Sequence, residues 1–92
     1  MEISEIKNFL RIDDDIDDKE IESLQKAAEI YLTNAGVKKS YDNELYCSAI
    51  KLLVSYWYDN RSPVAIGKTS KSLEFSLHSI IIQLANVGDS NV

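Results

Sequence analysis

Residues 13–24 read D-D-D-I-D-D-K-E-I-E-S-L, five aspartates within six positions followed at once by an apolar, helical pattern. The run is either a metal loop, a disordered acid tract or the start of a helix, and the choice decides the fold. A calcium loop of the EF-hand kind needs glycine at its sixth position and a bidentate glutamate at its twelfth. Counting from Asp13, those places hold Asp18 and Leu24, so no calcium site is expected. A helix start accounts for more of the residues. With Asp17 as N-cap, Glu20 falls at N3 and completes a capping box. Ile16 and Ile21 then occupy the two positions of a hydrophobic staple. Asp17, Asp18, Glu20 and Glu22 set negative charge against the positive end of the helix dipole. Asp13, Asp14 and Asp15 are left over, as a solvated linker behind a short element containing Phe9, Leu10 and Ile12.

Working outward, four helices are expected. The first is short, capped by Ser4, with Ile6, Phe9 and Leu10 on one side. The second runs from Asp17 to about Ala35, with Ile21, Leu24, Ala28, Tyr31 and Leu32 at helical spacing and Gly36 as its stop. The third extends from near Asp42 to about Asn60. Leu45, Ala49, Leu52, Leu53 and Tyr56 form its stripe, flanked by Tyr46, Ile50 and Trp57. So wide an apolar face predicts a central helix. Residues 61–75 read as a loop, whose R-S-P-V-A-I-G-K-T-S-K portion holds three positive charges, one proline and no acid. Leu77, Ile80, Ile81 and Leu84 give a fourth helix, capped at Ser76 and ending near Gly88, with a frayed tail over 88–92. The alternation S-L-E-F-S-L admits a second reading, a short strand over residues 72–77. The fold class is all-α, a small bundle in a single domain over residues 1–92.

Composition narrows the function. The chain has 92 residues, 45% of them hydrophobic and 27% charged, which is ordinary for one globular domain. No stretch approaches the roughly 18 apolar residues of a membrane span, and M-E-I-S-E-I-K-N-F-L lacks a signal-peptide layout, so synthesis in a cytoplasm is expected. The net charge of −5 is uneven: residues 1–34 carry ten acids and four bases, residues 35–92 five acids and six bases. That balance argues against tight wrapping of nucleic acid, which needs clustered bases to neutralise phosphates. It suits a channel along which DNA slides.

No constellation amounts to an active site. Gly67-Lys68-Thr69 matches the end of a phosphate-binding loop, but Ser62 stands where its first glycine belongs, and the segment follows a helix where such a loop follows a strand. Cys47, the single cysteine, cannot form an internal disulfide, and its apolar helical neighbours predict a buried, inert thiol. Nothing in the spacing brings His78 to it, and His78 reads as a surface residue. Asn60-Arg61-Ser62 matches a glycosylation sequon, which has no meaning without secretion. No enzyme, cofactor or metal is expected. In Y-W-Y-D-N-R, residues 56–61, Tyr56 and Trp57 supply core area, and Tyr58, Asp59, Asn60 and Arg61 form a polar helix end.

The order of these pieces resembles the small head-tail connector (adaptor) proteins of long-tailed phages. The matching features are a short helix ending L-R-I, acids leading into the second helix, the A-A-x-x-Y stretch, and a helix ending Y-W-Y-D-N-R, together covering about residues 5–61. Family members commonly have proline near the start of the last helix, where this chain has Phe75-Ser76. The resemblance implies a structural virion part and no enzyme. Its subunits, able to remain monomeric in solution, would form a ring, a dodecamer in the virion, between the portal protein and the tail or stopper protein, with DNA only as passing cargo. The interface residues it suggests are Tyr58, Asp59, Asn60, Arg61, Lys68 and Lys71 on one side and Asp13, Asp14 and Asp15 on the other. The alternative is a small cytoplasmic helical regulator that binds another protein.

Overall fold

The computed structural model describes residues 1–60 and 71–89, with side chains as far as Ala85. Among the described residues there are four helices: α1 (Ile3–Leu10), α2 (Asp18–Asn34), α3 (Glu44–Asp59) and α4 (Lys71–Asp89). There is no strand among the described residues. None of the described helices is long and apolar enough to cross a membrane.

The wide apolar face of α3 does what its width demands. Tyr46, Ala49, Ile50, Leu53, Val54 and Trp57 are all buried, and α3 packs against each of the other three helices. From α2 come Ile21, Leu24, Ala28 and Leu32, a single stripe at helical spacing. Helix α1 contributes Ile6, whereas Phe9 remains 48% exposed. Helix α4 rests chiefly on α3, through Leu73, Leu77 and Leu84. Trp57 meets Tyr31 edge-on, with ring centroids 6.1 Å apart.

Two helices stop in the same way. After α2 the chain turns left-handed at Gly36 (φ 91°), and Val37 N–H returns to the Leu32 carbonyl at 2.9 Å. After α1 the left-handed residue is Arg11 (φ 61°, ψ 44°), and Ile12 N–H returns to the Lys7 carbonyl at 2.9 Å. Both closures satisfy carbonyls that a helix end leaves open, but only glycine adopts that backbone without cost.

Several local expectations are corrected. The N-cap of α1 is Glu2 in extended conformation, and Ser4 lies inside the helix. Helix α3 does begin close to Asp42, at Glu44, where the Asn43 side chain accepts from Leu45 N–H at 2.8 Å. Helix α4 already includes residues 71–76, so Ser76 is no cap, there is no strand over 72–77, and the loop does not reach 75. The alternation in S-L-E-F-S-L arises because Leu73 and Leu77, four apart, face α3 while Phe75 faces water. Period two and period 3.6 coincide over so short a window.

Candidate functional site

The acid run forms a tight turn between α1 and α2, held by its own side chains. Asp14 accepts from Ile16 N–H at 3.1 Å, an Asx turn, and the Asp15 carbonyl accepts from Asp18 N–H at 3.3 Å. Lys7 reaches across from α1 to Asp18 Oδ1 at 2.8 Å and Asp15 Oδ1 at 3.1 Å. Asp18, with Asp15 in support, holds the Lys7 ammonium above the usual lysine range, although desolvation pulls the other way.

Asp17 does occupy the N-cap position of α2, but its side chain makes no cap hydrogen bond. Its Oδ2 accepts from the Tyr58 hydroxyl at 2.5 Å, tying the start of α2 to the end of α3. The staple is absent as well. Ile21 is buried, but Ile16 is 84% exposed. The carboxylate instead meets a phenol 41 residues away, and Ile16 projects from the turn into solvent.

A second polar cluster fixes the segment between α2 and α3. The Tyr41 hydroxyl donates to Glu29 and accepts from Gln25 Nε2 at 3.1 Å, and Gln25 also donates to the Met1 carbonyl at 3.3 Å. Lys39 pairs with Glu29 at 3.4 Å and lies 5.6 Å from the Tyr41 ring centroid. Burial, followed by the bond to Glu29, pushes the Tyr41 phenol well up. Tyr46 packs edge-on against Tyr41, and burial raises its phenol to about 12. The Tyr46 hydroxyl makes no hydrogen bond among the described residues. Cys47 is half-buried, its thiol donating to the Tyr41 carbonyl at 3.3 Å; burial, then the Glu44 charge, raises its pKa.

Among the described residues no three carboxylate, imidazole or thiol groups gather as a metal ion would require. What the arrangement offers is surface. Asp13, Asp14 and Asp15 are exposed on the turn, Asp59 and Asn60 at the end of α3, and Lys71 at the start of α4. Tyr58 is only partly accessible, and its hydroxyl belongs to the fold. Arg61 and Lys68 lie outside the described residues.

The model of the phage gp6-like head-tail connector proteins matches residues 1–85. The chain belongs to that family. No curated protein and no solved structure matches it. As a head-tail connector it is a structural component of a phage particle, acting where head and tail meet.

For a connector the relevant features are contact surfaces, and the most exposed apolar residues escaped the sequence reading. Ile16 and Phe75 are each 84% exposed, and Ile30, Phe9 and Ile82 are 61%, 48% and 44% exposed. Part of this was visible. Phe75 and Ile82, seven apart, fall off the stripe of Leu73, Leu77 and Leu84, and Ile16 has aspartates on both sides.

Proposed function

We propose that this connector is a ring adaptor, assembled head to tail beneath the portal at the capsid vertex. Its ring offers a docking surface to the tail or stopper protein, and DNA passes through the opening. The observation that carries this reading is the family match over residues 1–85 of a 92-residue chain.

Physical features of the chain support it. A net charge of −5 suits a passage for DNA, because clustered bases would grip phosphates and release counterions, whereas an acidic wall lets the duplex move. A closed ring needs two different faces on each subunit. The exposed carboxylates of the α1–α2 turn and the exposed Lys71 lie on different elements and carry opposite charge.

The test is to mix the purified protein with portal rings encoded in the same genome and image them by electron microscopy. A symmetric layer of added density on the portal is expected. If no layer forms at low or high salt, while the protein captures a host regulatory protein, the regulator reading replaces the adaptor.

A further inference from the structure

Among the described residues the two most exposed large apolar side chains, Ile16 and Phe75, sit in different electrostatic settings. Ile16 projects from a turn that its neighbours over-determine: the Asx turn at Asp14, the Asp15–Asp18 backbone bond, and the grip of Asp15 and Asp18 on Lys7. Asp13, Asp14 and Asp15 precede it in the turn, all exposed. An isoleucine held rigidly in water by several polar contacts loses little entropy when it binds.

Phe75 lies on the face of α4 turned away from α3. Lys71, Phe75, His78 and Ile82 fall at i, i+4, i+7 and i+11, one stripe on the side of α4 away from Leu73, Leu77 and Leu84. Small exposed serines, Ser72 and Ser79, border it on one side, and Glu74 lies on the other. One surface is thus an apolar knob beside three exposed carboxylates, and the other an apolar stripe with Lys71 at its head and Glu74 at one border. Both halves of this complementary pair belong to the same chain, which identifies the occupant as a second copy.

We infer that Ile16 of one subunit packs on the Phe75–Ile82 face of α4 in the next, with Asp13, Asp14 and Asp15 beside Lys71 and His78. The inference rests on the ring reading and gives it an interface. Because the surfaces differ, the contact is heterologous and propagates around a ring. It is small. An aromatic side chain supplies about 150–250 Å², so these anchors bury well under the roughly 800 Å² per partner of a stable complex. Subunits therefore stay apart when dilute and associate when a portal gathers them, where many weak contacts act together.

The experiment uses portal rings and two variants, Ile16→Asp and Phe75→Asp. Both positions are exposed, so thermal unfolding should be nearly unchanged, while the addition of each variant to portal falls at least tenfold. In a Cys47→Ser background, Ile16→Cys chains are then mixed with Phe75→Cys chains on the portal and oxidised. An intermolecular 16–75 disulfide is expected. If wild-type density forms but the disulfide does not, or if only 75–75 products appear, this interface is wrong and the adaptor reading stands. If the wild type adds no density, the adaptor reading fails, and the same oxidation of concentrated free chains decides the interface: a 16–75 product supports it and none overturns it.

Discussion

Asp17 and Tyr58 should be worth more together than either suggests alone. A hydrogen bond to a charged acceptor contributes about 1.5–3 kcal/mol net. This one is 2.5 Å long and only partly buried, which places it near the lower end. Tyr58→Phe should therefore cost about 1.5 kcal/mol. Asp17→Ala should cost about 2 kcal/mol, because it also removes a charge worth roughly 0.3–1 kcal/mol at the positive end of the α2 dipole. The double variant should fall short of the sum by about 1.5 kcal/mol, the coupling expected of two residues in contact and not of independent sites. In a domain of this size each kcal/mol moves the melting temperature by about 4–8 °C, so circular dichroism resolves every member of the cycle. Asp17→Ser provides the control. Serine is as good an N-cap as aspartate, so if capping were the role of Asp17, the serine variant would match the wild type. It should instead lose nearly as much as alanine. A coupling below about 0.5 kcal/mol, or full rescue by serine, would refute the reasoning.

Tyr46→Phe should stabilise the protein by about 1 kcal/mol, since it deletes a buried hydroxyl with no hydrogen-bond partner among the described residues; a loss of stability in urea unfolding would count against it. The same variant has a pH signature. The folded state raises the Tyr46 phenol from 10.0 to about 12, so its contribution is fully present below pH 10 and lost as pH rises towards 12. Melting temperature should drop across that window in the wild type and less steeply in the variant. Arg11→Gly should stabilise by roughly 0.5–1 kcal/mol, because a left-handed backbone costs a side-chain-bearing residue about 1–2 kcal/mol and glycine's extra freedom in the unfolded chain returns part of that; a lower melting temperature would refute it.

The helices were legible because their apolar stripes are long. Ile21, Leu24, Ala28 and Leu32 have no other consistent reading, and the width of the α3 face announced its central place. Ends were harder. Glycine at position 36 advertises a left-handed stop, whereas arginine at position 11 performs the same turn without any compositional sign. The acid run was understood as a helix start, but the bonds Asp17, Asp15 and Asp18 make were not, because Tyr58 and Lys7 come to them only through the packing of three helices. The candidate surface was half legible. Charge placed Asp13, Asp14, Asp15 and Lys71 on the exterior, but Tyr58 proved to be a tie within the fold. Ile16 was assigned inward because a local rule, the staple, outweighed a tertiary contact that sequence does not display.

The attachment of α4 to α3 has a consequence for the order in which the molecule opens. Helices α1, α2 and α3 brace one another, and ion pairs and a phenol–carboxylate bond cross between them. Helix α4 adds an apolar stripe resting chiefly on one neighbour. Its release exposes Leu73, Leu77 and Leu84 and leaves the three-helix contacts standing, so the protein divides into two cooperative units of unequal stability. Amides of α4 should exchange with solvent earlier than those of α2 and α3. The thermal history of a subunit would then be written first in its last helix, the element with most to gain from a neighbour in a ring.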